Sequence, residues 1–154
     1  MKNDLFVIEK AGDNECGILD NLFAMLLKSD KEYDRNIKDG LTMQGFFSKR
    51  VNDEDSIILV AKIDNNIVGY IYGYIRSDNK IKIELESYIE SLFIIEEYRN
   101  KGIGTALINK FVDECKLKNV KYIFIENKEK NEGAKFLYNR LGFKIFIETR
   151  RKEI

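Results

Sequence analysis

"IEEYRNKGIGTALINKF" (residues 95–111) decides how this chain is read, because Gly102 and Gly104 stand between an apolar run and an amphipathic one. Upstream, "IELESYIESLFII" (83–95) has the composition and length of a long strand. Downstream, Gly104, Leu107, Ile108, Phe111, Val112 and Cys115 recur at the spacing of one helical face. A strand that enters a helix through so tight a turn leaves the first helical N–H groups unpaired, and together with the positive helix end they form a cradle for an anion. Glycine at 102 and 104 permits positive φ and lets a phosphate approach the main chain without a Cβ in the way. Arg99 and Lys101 add charge-assisted donors suited to a diphosphate, and Lys110 lies close by in sequence. A purely structural turn with solvated cations has the same spacing. The phosphate loop GxxxxGK[ST] is absent, and the third glycine of GxGxxG would fall at Leu107, so neither common nucleotide loop fits.

Working outward, "LFVIEK" (5–10) suits a short strand. Ile18, Leu19, Leu22, Phe23, Leu26 and Leu27 line one face of a first helix, with Asp13 or Asn14 as its expected cap. Residues 30–50 read as a broken helix or a loop, because Ile37 and Leu41 suit a helix while Gly40 and Gly45 interrupt it. "SIILVAKIDNNIVGYIYGYIRSD" (56–78) is two strands about a turn at Asp64-Asn65-Asn66. "VKYIFIEN" (120–127) is a strand, Ala134, Leu137, Tyr138 and Leu141 mark a further helical face that Gly142 ends, and "FKIFIETRRKEI" (143–154) reads as a closing strand. The expected order is β, α, α, β-β-β, α, β, α, β. It implies one α/β domain over residues 1–154 with a mixed sheet, antiparallel at the hairpins and parallel at the helical crossovers.

Composition narrows the chemistry. The 154 residues suit one domain. The 26 basic and 26 acidic side chains balance, so no general attraction to nucleic acid or membrane is expected. Cys16 and Cys115 form neither a disulfide framework nor a metal cluster, and no metal site is expected. The two thiols, and an N-terminal "MKNDLFVIEKAGDNE" without a signal-like apolar core, give a cytoplasmic expectation. With no histidine present, a proton moved near neutral pH must travel by carboxylate, tyrosine, lysine, thiol or water.

Two linked segments, "RNKGIGTAL" (99–107) and "NEGAKFLYNRLGF" (131–143), together resemble the GNAT superfamily of acyl-CoA-dependent N-acyltransferases. The first matches the family's [Q/R]-x-x-G-x-[G/A] loop, and the second its N-x-x-A-x-x-[F/L]-Y-x-x-x-G-F helix. Glu96 departs from the pattern, which often has proline there. The resemblance implies a mixed, mostly antiparallel central sheet flanked by helices on both faces. It also implies acetyl-CoA as co-substrate, with its pyrophosphate cradled along Arg99, Asn100, Lys101, Gly102, Ile103, Gly104 and Thr105. Asn131 would contact the coenzyme, and the main chain at Leu92, Phe93 and Ile94 would hold the pantetheine arm. Many members dimerise, so a homodimer is among the expected partners.

Acetyl transfer needs a neutral amine, a polarised carbonyl and a proton for the leaving thiolate. Tyr138 shares its helical face with Ala134, Leu137 and Leu141, so its ring points toward the sheet, where it serves equally as a packed tyrosine or a proton donor. Glu90 alternates with Leu92 and Ile94, which puts it on an otherwise apolar strand face as a base or as a solvated carboxylate. The resemblance favours the donor role for Tyr138 and the base or water-relay role for Glu90. It further implies direct transfer in a ternary complex to a primary amine on a small molecule or peptide. "SDKEYDRN" (29–36), with Asp30, Glu32, Tyr33 and Asp34, reads as a solvated loop or as an acidic rim suited to a cationic amine. The reading from another class is a non-catalytic acyl-CoA-binding sensor, which needs the loop but neither Glu90 nor Tyr138.

Overall fold

The computed structural model describes residues 5–154. Its sheet has five strands in sequence order: β1 (Val7–Lys10), β2 (Ser56–Ile63), β3 (Asn66–Arg76), β4 (Leu85–Ile94) and β5 (Val120–Ile125). The first four pair antiparallel, and β5 joins β4 in parallel after a helical crossover. Three helices complete the α/β domain: α1 (Cys16–Asp30), α2 (Ile103–Leu117) and α3 (Glu132–Arg140). Asp64 and Asn65 both take positive φ, 49° and 64°, in a two-residue hairpin that only short polar side chains or glycine tolerate well.

Strand alternation divides the core in two. Ile57, Leu59, Ala61, Ile71 and Ile89 face α2 through Leu107, Ile108 and Phe111, with Leu137 and Tyr138 of α3 packed alongside. Ile58, Val60, Tyr70, Tyr72 and Phe93 face Leu19, Leu22 and Phe23 of α1 and the buried ring of Phe47. The helical stripe read from sequence on α2 is the buried one. Cys115 lies within it and Cys16 is buried in the other core half.

Three expectations fail locally. Neither Asp13 nor Asn14 caps the first helix; a short 3-10 turn over Asp13–Glu15 precedes it, and the Glu15 carboxylate accepts the Gly12 N–H at 2.9 Å. Residues 31–55 contain turns and no helix, so of the two readings of this stretch the loop holds, and the second helix of the expected element order is absent. The buried Asp20 carboxylate accepts the N–H groups of Gly45 and Phe47 at 2.8 and 3.0 Å, and this non-helical loop is thereby pinned to α1. Residues 143–154 form no strand, since no ladder hydrogen bonds join them to β5.

Gly73 marks where sheet and helix meet most closely. A Cβ there would lie 2.5 Å from both the Phe111 ring and the Tyr88 carbonyl. Gly73→Ala should therefore cost about 1–3 kcal/mol in urea unfolding. Gly17→Ala, in open space on α1, should instead stabilise by ~0.5–1 kcal/mol.

Candidate active site

The site begins with an irregularity in β4. Tyr72 pairs with Ser91 but Gly73 pairs with Ile89, so Glu90 is an extra residue, a β-bulge. Period-2 reading put Glu90 on the face of Leu92 and Ile94; the bulge breaks that parity. Ile89 and Leu92, three residues apart, share the α2 core, while Glu90 keeps exposed surface and its charge is felt by Tyr70 and Tyr72 of the α1-side core. The sequence expectation for its orientation is corrected accordingly.

The bulge coincides with the end of β4–β5 pairing. The last registered pair is Ile89 with Ile125, yet β4 continues to Ile94. From Glu90 onward the β5 side of β4 lacks a strand partner, and an extended ligand can use the exposed peptide groups there. Leu92 and Ile94 face the α2 core and Phe93 the other. Arg99 Nε donates to the Ile94 carbonyl at 2.8 Å, and its guanidinium lies 5.5 Å from the Phe93 ring centroid.

The glycine turn follows. Asn100 and Gly102 take φ of 59° and 82°, and Gly102 is the N-cap of α2. Ala106 makes the first helical bond, to the Gly102 carbonyl at 3.0 Å, so the N–H groups of Ile103, Gly104 and Thr105 have no partner within the helix. A Cβ at Gly102 would meet nothing within 4 Å, leaving an open approach to those groups. Gly104 differs from expectation. It has no positive φ; its missing side chain instead gives room for Ile94 and Leu137, which an added Cβ would contact at 3.4 and 3.5 Å. Of the three cations, Lys110 lies toward Glu114 at 3.6 Å, whereas Lys101 stays at the turn, 5.6 Å from the Tyr98 ring.

From α3, Asn131 caps the helix, its side-chain oxygen accepting the Ala134 N–H at 3.1 Å, which leaves its amide NH₂ to donate. Arg140 donates to Thr105 Oγ1 at 2.7 Å and joins α3 to the start of α2. Burial pushes the Tyr138 hydroxyl up to about 12, with the Asp30 charge adding to the rise, so Tyr138 holds its proton at neutral pH. Burial likewise raises the Glu90 carboxyl above the usual range, and Arg50 pulls it partly back. Asp30, at the end of α1, is raised by burial and moderated by Lys128.

Asp30 thus influences Tyr138 and Tyr70, and Glu90 influences Tyr70 and Tyr72, so two carboxylates and three tyrosines form one electrostatic neighbourhood beside the open edge of β4. The fully buried Tyr70 hydroxyl and the buried Ser91 hydroxyl, which face each other, find no partner of good hydrogen-bond geometry. Arg50, Tyr70 and Ser91 carried no sequence signal; the near-alternation of tyrosines at 70, 72 and 74 was the one available hint. Among the described residues, no group of three or more His, Cys, Asp or Glu side chains is arranged to hold a metal ion.

Comparison with known proteins follows the same geometry. The family described as Acetyltransferase (GNAT) family matches residues 21–143. An N-alpha-acetyltransferase of Sulfurisphaera tokodaii is 30% identical over 105 residues, 64% of this chain and 63% of that protein; one from Saccharolobus solfataricus matches to the same extent. This chain therefore spans less than two thirds of those relatives' length. A mutant of the BH1408 protein from Bacillus halodurans superposes with TM-score 0.86 over 96% of this chain and 99% of that one, at 20% identity. An aminoglycoside acetyltransferase from a soil metagenomic sample gives TM-score 0.74, 97% and 99% coverage, and 23% identity. At these identities the two structures show likeness of fold.

The half-buried Asp30 yields a pH prediction. Its folded-state pKa is raised, so the fold favours the protonated form, and that contribution is lost as pH rises through the folded value. Asp30→Asn should consequently raise the urea midpoint near pH 7. The gain should shrink as pH falls through the raised folded value and be gone below the ordinary carboxylate pKa of about 3.9. Denaturant titrations across that interval measure both.

Proposed function

The chain belongs to the acetyltransferase (GNAT) family, and from that premise we propose that it moves an acetyl group from acetyl-CoA to a primary amine by direct attack in a ternary complex. The observation that carries the proposal is the joining of three features at one place: an unpaired stretch of β4, a glycine turn with outward N–H groups, and a protonated Tyr138. In this reading the amides of Ile103, Gly104 and Thr105 hold the pyrophosphate, with Asn100 and Gly102 shaping the turn. Arg99 and Lys101 supply positive charge, and the Asn131 amide adds a donor. The β4 main chain over Leu92, Phe93 and Ile94 receives the pantetheine arm and polarises the thioester carbonyl.

The amine nitrogen attacks that carbonyl, its surplus proton passing to Glu90 directly or through water. The carbon–sulfur bond breaks, and the sulfur takes the Tyr138 proton. Raised pKa values suit both groups: Glu90 becomes a better proton acceptor, and Tyr138 reaches the reaction protonated.

Asp30 and Asp34 extend the proposal to the acceptor. Asp34 receives Arg151 at 2.9 Å and lies 3.7 Å from Lys128, and the Arg151 contact holds its carboxyl below the usual range. A rim that engages a guanidinium suits a cationic acceptor, small molecule or peptide. The relatives are described as an N-alpha-acetyltransferase and an aminoglycoside acetyltransferase, and both descriptions fit acceptors that carry amines. A cytoplasmic setting and a homodimer complete the reading. Among the described residues no helix is long and apolar enough to cross a membrane.

A sensor that binds acyl-CoA without turnover would need the turn alone, so two variants separate the readings. Tyr138→Phe should lower kcat by about 10²–10⁴-fold while leaving the acetyl-CoA dissociation constant within about twofold. Gly102→Val, which forces a β-branched residue to positive φ and fills the approach, should weaken acetyl-CoA binding at least about tenfold by calorimetry. Unchanged turnover in the first removes Tyr138 from its role; unchanged affinity in the second removes the cradle.

A further inference from the structure

Glu90 differs from its neighbours in β4 in what fixes its direction. A residue paired in a ladder has its side chain aimed by the strand, whereas a bulged residue is left out of the pairing and points where its contacts hold it. A group outside β4 must therefore hold this carboxylate. The same group must bring a positive charge, because desolvation at this place favours the neutral acid.

The loop between α1 and β2 supplies both. Asp20 of α1 is buried, and each of its carboxylate oxygens accepts one N–H of the loop, Gly45 at 2.8 Å and Phe47 at 3.0 Å. Gly45 takes φ of 80° there, and the chain turns Phe46 and Phe47 onto the sheet, their ring centroids 5.7 and 5.4 Å from those of Tyr72 and Tyr70. The Arg50 N–H closes the next turn on the Phe47 carbonyl at 2.9 Å. Arg50 Nη1 donates to the Phe46 carbonyl at 2.8 Å, and the guanidinium carbon lies 3.7 Å from the Phe46 ring centroid, so one residue fixes both the reach and the plane of the cation. Phe46 stands against Tyr72, Tyr72 pairs with Ser91, and Ser91 follows Glu90, which brings the guanidinium beside the bulge. From there its charge acts on the Tyr72 hydroxyl and on Glu90.

We propose that Arg50 is a positioning residue for acetyl transfer: carried by the loop that Asp20 pins, it holds the Glu90 carboxylate on the α1 side of β4, where the acceptor amine gives up its proton. The inference rests on the reading of Glu90 as the base and adds the residues that aim it. Asp20 acts at one remove, through the loop. Tyr70 and Tyr72 of β3 also face Glu90, but burial raises both hydroxyls, so they stay neutral while Glu90 titrates. Asp30 of α1 acts on Tyr70 and not on Glu90. Arg50 is thus the charge that opposes desolvation of Glu90. Without it Glu90 should keep its proton to higher pH and serve as a base only above that value.

Carbon NMR of protein labelled at the glutamate carboxyls follows this titration without any acceptor, with Glu90→Gln identifying the resonance. Arg50→Gln should move the Glu90 midpoint up by roughly 0.5–1 pH unit. Arg50→Lys should recover only part of the change, since an ammonium keeps the charge but cannot lie flat on the Phe46 ring. Asp20→Asn, which turns an NH₂ toward one of the two loop N–H groups, should move the midpoint in the same direction. The double variant Asp20→Asn/Arg50→Gln should go no further than Arg50→Gln, because both act through one contact. With acetyl-CoA and spermidine as substrates, the acid limb of the kcat/KM profile should follow the NMR midpoints while the acetyl-CoA KM stays within about twofold. Arg50 is half-buried, so Arg50→Gln should keep the native circular dichroism and gives the result even where Asp20→Asn does not fold. An unmoved Glu90 midpoint in Arg50→Gln overturns the proposal. So does full recovery by Arg50→Lys, which would make any cation sufficient, or full additivity in the double variant. Turnover that survives Glu90→Gln with its pH profile intact overturns the role in transfer through the base reading itself, and the NMR midpoint tells that failure from loss of the Arg50 contact.

Discussion

The parting of β4 from β5 is the constraint on which the rest of the site depends. Parallel pairing stops at Ile89 and Ile125, while β4 runs five residues further. The bulge at Glu90 adds a residue that the β3 ladder cannot match, and the added residue re-aims the strand and turns a carboxylate toward the α1 side. Gly73 sits opposite that irregularity, where the Phe111 ring and the Tyr88 carbonyl leave no room for a Cβ. Helix packing, strand irregularity and open edge are thus one geometric arrangement.

The two core halves supply different chemistry to that opening. The α2 and α3 side provides the glycine turn and Tyr138; the α1 side provides Asp30, Tyr70 and the loop pinned by Asp20. Electrostatic influence of Asp30 on Tyr138 and of Glu90 on Tyr70 shows that the groups share one environment across the gap. Its partial dryness shifts the pKa of both carboxyls and both hydroxyls upward. Such an environment keeps a donor protonated and makes a carboxylate a better base, the pair of properties that acyl transfer to an amine requires.

Regular periodicity made much of this legible in advance. The α2 stripe from Leu107 to Cys115, the Asp64-Asn65 turn and the mixed sheet follow from local pattern, and the buried residues agree with them. Features set by long-range contacts did not appear. The orientation of Glu90 required knowledge of the β3 register, because a bulge is a mismatch between two strands. The loop at residues 43–51 takes its form from Asp20, some 25 residues earlier, and from rings of Phe46 and Phe47 packed against Tyr70 and Tyr72. Residues 143–149 have a strand's composition but lack a partner among the described residues, and strand propensity without pairing does not make a strand. Within the glycine turn the positive φ read from the sequence holds at Gly102 and not at Gly104, whose missing side chain gives room for Ile94 and Leu137.

Thiol release from acetyl-CoA tests the central claim most directly, measured against polyamines, aminoglycosides, amino acids and peptides with a reaction lacking acceptor as reference. The account predicts release that depends on an amine and is greatest for acceptors bearing additional positive charge. Tight acetyl-CoA binding with no release above the reference for any amine in the panel would contradict it and favour a binding protein built on the same fold.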